Sequence, residues 1–396
     1  MPKVLRIINR FNLGGPTYNA VYLTAMLSGG DSDEMTFETR LIGGSPAPGE
    51  AHSGYIANQL GVQYEEITAM SRSINPLADL RSLLRIIHII REFRPDIVHT
   101  HAAKAGALGR LAAWLCRVPV VVHTYHGHVF SGYFGSFKSF VVRTAEKLLG
   151  KVTTHVICIS DKQFQEIVGH FRIVPPDKAS VITLGFDLSR FTKDQEEKRT
   201  QFRIKYGLNS TEIAIGIIGR LAPIKNHALF ISSFALAKKN NNRLRAFVIG
   251  DGETRAFILD QCKVHGLNVG TDQNSDVVFT SWIRNIEDAL AGLDIVALTS
   301  INEGTPVSLI EAQASRRPVV TTDAGGVRDC VEHELTGLIT DHNAYSISTA
   351  ILRLADSEDL RKNMGEAGES FVSNKFSYFR LTKEVRSLYS SLFDTK

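Results

Sequence analysis

Two hydrophobic rhythms alternate along this chain. Short unbroken apolar runs are separated by longer stretches in which apolar positions return every three or four residues. The first rhythm suits a strand buried on both faces, and the second suits a helix lying over a sheet. The pattern predicts strands at residues 4–8, 38–42, 96–101, 119–125 and 180–184, with helices at 17–27, 54–60, 76–93 and 105–115. A polar, charge-rich passage at 185–209 reads as a linker carrying a short helix. Strands then resume at 213–218, 245–250, 277–281, 295–298 and 319–322. Helices are expected from Pro306 to just before Pro318, at 345–355 and 358–367, and finally at 378–392. Such alternation predicts βαβ units and parallel sheets. Ligands bind such sheets beyond the carboxyl ends of the strands.

Chemistry gathers at those ends. Thr305 is a good N-cap and Pro306 is tolerated at a first helical position. A helix beginning there leaves the amides of Val307, Ser308 and Leu309 unpaired at the positive end of the dipole, which is an anion site. Glu303 precedes this helix, and Glu311 lies about one and a half turns inside it. Both carboxylates repel a phosphate and suit hydroxyls instead, and a sugar nucleotide offers hydroxyls on both sides of its diphosphate. Both are expected to be accessible and not paired with surface lysines. Strand 213–218 runs into Gly219-Arg220, with Lys225 on the loop. Arg as a planar fork and Lys as a point charge can reach one diphosphate. In the first half, Gly14-Gly15 stands between a strand and a helix, where backbone can approach a phosphate, although Gly-Gly-Pro is also an ordinary turn.

Histidines crowd two further strand ends, as His99-Thr-His101 and His123-Thr-Tyr-His126-Gly-His128. A His-x-His pair suits a metal and raises a different class, a metal-dependent hydrolase. Against it, no later strand end offers a matching ligand, and the second half is left unexplained.

The run from Glu303 to Glu311, followed by Gly325-Gly326-Val-Arg-Asp329, closely resembles the Glu-x7-Glu signature of the family 4 retaining glycosyltransferases. The family has its Gly-Arg…Lys pair where this chain has Arg220 and Lys225. The resemblance spans nearly the whole chain. It implies an α/β protein of two Rossmann-like doubly wound parallel-sheet domains facing across a cleft, the glycosyltransferase-B fold. The expected division is an acceptor-side domain at 1–187, a nucleotide-sugar domain at 188–376, and a helix at 377–396 crossing back onto the first. The resemblance implies transfer, with retention, from a nucleotide diphosphate sugar, expected to be UDP-linked, to a saccharide or lipid-linked saccharide in bacterial-type polysaccharide or glycolipid assembly. No cofactor or metal is expected, because Arg220 and Lys225 supply the charge. Catalysis would fall to Glu303, His126, Arg220 and Lys225. The donor would be bound by Gly14, Gly15, Arg220, Lys225, Val307, Ser308, Leu309 and Glu311, with Thr280 to Ile283, including Trp282, at the base. His126 would lie against the donor sugar, Glu311 would accept from ribose hydroxyls, and Glu303 would accept from sugar hydroxyls near the reacting carbon. Some family members carry Gly where this chain has Pro306, which has no amide to donate. Asp31-Ser-Asp33 has the form of a metal motif of another glycosyltransferase fold but reads as a solvated loop. Two rivals share the donor site: a sugar-nucleotide epimerase and a non-catalytic sensor.

Composition narrows this little. At 396 residues, 43% apolar and 22% charged, the chain has room for two ordinary globular cores. A net charge of +4, with the positive excess in residues 1–185, gives no case for nucleic acid. Cys116, Cys158, Cys262 and Cys330 are scattered, as in a reducing compartment. No stretch reaches the ~20 apolar residues that span a bilayer, and the first ten residues lack a signal-peptide core. A cytoplasmic protein is expected. The stretch from Phe134 to Lys151 mixes aromatic residues with Lys138, Arg143, Lys147 and Lys151. It fits either a helix with an apolar core face or a surface resting on anionic lipid at the inner face of a membrane.

Overall fold

The computed structural model describes residues 1–12, 15–29, 35–46, 52–71, 75–126 and 136–394. They divide into two compact units, Met1–Phe186 with Phe376–Lys396, and Asp187–Lys375. The first unit holds β1 (Lys3–Arg10), β2 (Glu38–Gly44), β3 (Tyr64–Ile67), β4 (Ile97–His101), β5 (Val120–Tyr125), β6 (His155–Cys158) and β7 (Ala179–Val181), in the sheet order β3-β2-β1-β4-β5-β6-β7. The second holds β8 (Ile213–Ile218), β9 (Leu244–Ile249), β10 (Val277–Ser281), β11 (Ile295–Leu298), β12 (Val319–Thr322) and β13 (Gly337–Thr340), in the order β10-β9-β8-β11-β12-β13. All adjacent pairs are parallel. Both units are thus Rossmann-like α/β layers. In each, the strand order reverses beside the unit's first strand, between β1 and β4 and between β8 and β11, which opens a crevice at the strand ends.

The central strands are apolar without alternation because helices cover both of their faces. In the second unit Ile215, Ile217, Val248 and Ile295 pack with Phe230, Phe234 and Ile351. In the first, Leu5, Ile7, Ile42 and Val98 pack with Ile86, Ile90 and Ala112.

Several elements depart from the sequence reading. β3 carries two glutamates on an edge strand and β6 has only four residues, so neither shows a clear apolar run. Pairing in β7 stops at Val181, three residues short of the expected end. The helix expected at 358–367 continues to Phe376. The passage read as a linker belongs largely to the second unit. Its helix Gln195–Lys205 is pinned by Arg199 and Arg203, which donate to Asp294 at 2.6 and 3.2 Å. Among the described residues, no helix is long and apolar enough to cross a membrane.

The last helix, Tyr378–Asp394, joins the core of the first unit. Leu381, Val385 and Tyr389, spaced by four, are buried against Val4, Leu23, Leu27, Ile97 and Val120. Tyr389 also completes a buried polar chain. Its hydroxyl oxygen accepts from the Arg6 guanidinium at 3.0 Å and lies 2.6 Å from His99 Nδ1. His99 Nε2 lies 2.7 Å from the Thr124 hydroxyl. Arginine can only donate, so the Tyr389 oxygen accepts from Arg6, while both ring nitrogens of His99 are engaged by hydroxyls. Tyr389→Phe strands the buried Arg6 and His99 groups and is expected to lower stability by about 1–3 kcal/mol. Urea denaturation checks this; an unchanged midpoint would show that the hydroxyl contributes nothing.

Candidate active site

The crevice between β8 and β11 is built from loops that share one backbone network. The Ile301 amide donates to the Ile224 carbonyl at 2.9 Å, and the Thr299 hydroxyl donates to the Asn226 carbonyl at 3.0 Å. From the end of β12, Thr322 donates its hydroxyl to the Ser300 carbonyl at 2.8 Å. Gly325 and Gly326 close behind this loop. A Cβ at Gly325 would stand 2.0 Å from the Glu303 carbonyl oxygen, and one at Gly326 would stand 1.9 Å from that of Gly304. Gly325 also has φ +57°. Glycine alone permits this approach, and the Gly326 amide then donates to the Glu303 carbonyl at 3.1 Å. The glycine pair therefore fixes the loop that carries the first carboxylate.

On this frame Lys225 Nζ lies 2.6 Å from Glu303 Oε1, and the same oxygen accepts from the Ser300 hydroxyl at 2.5 Å. The expectation that Glu303 avoids lysine is thus corrected. Its side chain is 10% exposed, and so enclosed a carboxylate needs a countercharge, which the neighbouring loop supplies. Arg220 is 65% exposed and lies 3.2 Å from Glu253.

The helix after Glu303 spans Val307–Ala314, one residue later than expected, with Pro306 as its cap and no side-chain cap bond. The Leu309 amide donates to the Pro306 carbonyl at 3.0 Å, which removes Leu309 from the expected set of free donors. The first turn tightens to an i→i+3 bond, a common way to satisfy a helix end. The amides of Val307 and Ser308 have no partner among the described residues and keep the anion-binding character.

Inside this helix, Glu311 accepts from Arg190 at 3.3 Å, and the same guanidinium lies 3.6 Å from Glu287. Burial pushes the Glu311 carboxyl up to about 7; the Arg190 charge opposes the rise and the Glu287 charge adds to it. Along the sheet edge, Thr280 and Ser281 end β10, and Trp282 follows with 61% of its surface exposed. The Ser281 hydroxyl donates to Asp251 at 3.0 Å, and the Asp251 carbonyl accepts from the Leu221 amide at 3.0 Å. The expected base site is thereby tied, through Asp251, to the loop bearing Arg220 and Lys225. Arg190 and Ser300 were not anticipated, each being a single polar residue without a pattern to mark it; Asp251 stands in the Gly250-Asp-Gly252 turn, which resembles the family's, but its tie to Ser281 was not expected.

In the first unit Gly15 opens the helix Gly15–Ser28, while Gly14, His128 and Asp31 to Asp33 lie outside the described residues. His101 Nδ1 and His126 Nε2 are 2.9 Å apart, and the His101 ring stacks on His99. Burial lowers His126 to about 4, so its imidazole is neutral near pH 7. His123 Nδ1 lies 2.8 Å from the Thr100 hydroxyl. A metal at the His-x-His pair finds no support here. Both nitrogens of His99 are engaged, and no group of three or more His, Cys, Asp or Glu among the described residues is arranged to hold an ion. The helix Ser136–Lys151 is not merely a core element. Phe140 and Leu148 are 61% and 59% exposed, while Glu146 turns inward to Arg110 at 2.8 Å and Tyr125 at 2.5 Å.

Comparison with known proteins places this geometry. Residues 198–371 match the family model "Glycosyl transferases group 1", and residues 38–190 match "Glycosyltransferase Family 4". The chain is 30% identical over 332 residues to the capsular polysaccharide biosynthesis glycosyltransferase CapM of Staphylococcus aureus, covering 82% of this chain and 84% of that protein. It is 29% identical over 335 residues to the UDP-Gal:alpha-D-GlcNAc-diphosphoundecaprenol alpha-1,3-galactosyltransferase of Escherichia coli, covering 83% and 84%. Anabaena HepE in complex with UDP shares the fold at a TM-score of 0.81 and 19% identity, over 98% of this chain and 100% of that one.

The Glu311 carboxyl carries a stability signature. Its folded value of about 7 stands above the ordinary 4.5, so the folded chain holds this proton more tightly than the unfolded chain does. Its contribution to stability is complete below the ordinary value and is lost as pH rises to about 7. Glu311→Gln is expected to remove that loss, so its stability relative to the natural chain should rise across this window. A constant difference in denaturant midpoints from pH 4.5 to 7 would refute the shift.

Proposed function

We propose, on the premise that the chain belongs to the family 4 glycosyltransferases, that it is a retaining enzyme acting on a UDP-linked sugar. The acceptor is a saccharide or lipid-linked saccharide of polysaccharide or glycolipid assembly. The observation that carries this reading is the Lys225–Glu303 contact, on loops that also carry the exposed Arg220 and lead into the helix whose Val307 and Ser308 amides have no partner among the described residues. Cations and amide dipoles of this kind suit the two phosphates of a nucleotide sugar. The activities named for the relatives, and UDP in the HepE complex, support the choice of donor and acceptor class.

In this reading the bond between the anomeric carbon and the diphosphate oxygen breaks. The acceptor oxygen bonds to the same face of that carbon, and its proton passes to the departing phosphate oxygen. Negative charge grows on the phosphate, where Arg220, Lys225 and the two amides stabilise it. Positive charge grows at the anomeric carbon, where Glu303 stabilises it. Glu311 accepts from the ribose. His126, neutral near pH 7, suits hydrogen bonding to an uncharged sugar hydroxyl. The helix Ser136–Lys151 presents Phe140, Leu148, Lys147 and Lys151 at helical spacing. We read that surface as resting on anionic lipid, where a lipid-linked acceptor resides.

Release of nucleoside diphosphate from a panel of nucleotide sugars, without acceptor, tests the proposal. Slow release from one donor is expected. An altered free sugar would make the chain an epimerase, and binding without release would make it a sensor. With that donor, Arg220→Ala and Lys225→Ala are expected to weaken binding and turnover by about ten- to hundredfold, the scale of a lost charged hydrogen bond. Normal kinetics in both variants would remove the diphosphate from this crevice. Glu303→Gln is expected to lower kcat more than it raises KM, because its attraction grows in the transition state. A normal kcat would assign the stabilising role elsewhere.

A further inference from the structure

Arg190 lies three residues past the point where the chain enters the second unit, on the short turn Ser189–Phe191, and its setting is built rather than incidental. Asp187 accepts from the Ser189 amide at 3.0 Å and from the Ser189 hydroxyl at 2.6 Å, which fixes the turn. Phe191 is buried and anchors it, and the Arg190 guanidinium stacks over the Phe191 ring at 4.6 Å. From the helix Gln195–Lys205, Lys198 Nζ donates to the Arg190 carbonyl at 2.8 Å. The guanidinium so aimed meets two carboxylates from different helices, Glu311 at 3.3 Å and Glu287 at 3.6 Å. Glu287 Oε2 is buried without a hydrogen bond among the described residues, and Arg190 is a cation within 3.6 Å that offsets its charge.

Two carboxylates facing one arginine constrain each other. Without the arginine, Glu311 and Glu287 would repel, and Glu311 would turn away or take up a proton. A protonated carboxyl accepts from one ribose hydroxyl less well than a carboxylate accepts from two. We propose that Arg190 is a positioning residue that orients the Glu311 carboxyl and thereby sets the preference for ribonucleotide over 2′-deoxyribonucleotide donors. This rests on the reading of Glu311 as the ribose acceptor. Arg190 itself acts through Glu311 and makes no contact with the nucleotide.

The experiment measures affinity for UDP and for 2′-deoxyUDP by calorimetry on the full chain and on Glu311→Gln, Arg190→Gln, Arg190→Lys and the Glu311→Gln/Arg190→Gln double variant. Melting temperatures are recorded alongside. Arg190 is half exposed, so its variants are expected to fold. Arg190→Gln should weaken UDP by about fivefold, the upper range for a partly exposed pair, while 2′-deoxyUDP changes less. The ratio of the two affinities should fall, and Arg190→Lys should restore part of it. In the double variant Arg190→Gln should add nothing to Glu311→Gln, because the two act as one unit. If Glu311→Gln compresses the ratio and Arg190→Gln does not, the positioning role is overturned and the ribose reading stands. A full Arg190→Gln effect persisting in the Glu311→Gln background would place Arg190 on the nucleotide directly and also overturn it. If Glu311→Gln leaves the ratio unchanged, the ribose reading fails and the inference fails with it.

Discussion

A lysine and a glutamate meet at the switch point of the second sheet, and the surrounding backbone is arranged to hold them there. Lys225 arrives from the loop after β8 and Glu303 from the loop after β11, two strands adjacent in space but far apart in sequence. Hydrogen bonds from Thr299, Ile301 and Thr322 lock the loops together, and Gly325-Gly326 supports Glu303 from behind. Neither residue could keep its position without the parallel sheet. The sheet in turn leaves this crevice because its strand order reverses at β8.

The pair also balances charge in a way that suits phosphate chemistry. A lone enclosed glutamate would favour its protonated form, and a lone lysine would search for any anion. Joined, they form a neutral but polarised pair. Glu311 and Glu287 repeat the arrangement one helix away, with Arg190 between them.

Much of this was legible in the sequence because it is periodic or contiguous. The apolar runs of the central strands stood out, and Glu303 and Glu311 share one uninterrupted motif with the helix start between them. What escaped was local or relational. β3 is a short edge strand carrying two glutamates, and its pairing comes from β2 beside it. The bond from Leu309 to Pro306 depends on where the first helical turn tightens, a matter of one residue that cap chemistry does not decide. Nothing near Arg190 announces that it faces Glu311, since the contact joins positions 121 residues apart. The Lys225–Glu303 pairing was hidden for the same reason. Both partners were recognised, but each was assigned to a different part of the ligand.

The first unit is discontinuous in the chain: Tyr389, which closes its buried polar chain, is made after the whole of the second unit. Synthesis proceeds from the amino end at about 5–20 residues per second. Residues 1–186 therefore emerge with Arg6 and His99 bonded to Thr24 and Thr124 but still lacking the Tyr389 hydroxyl, and with Val4, Leu23 and Ile97 uncovered. The second unit is contiguous, and all of its sheet is available before the last helix leaves the ribosome. Assembly order is thus inverted relative to chain order, with the later-made unit free to finish first. A chain cut after Phe376 would carry an intact second unit and an unsealed first unit, a form that cellular quality control would recognise by its exposed core.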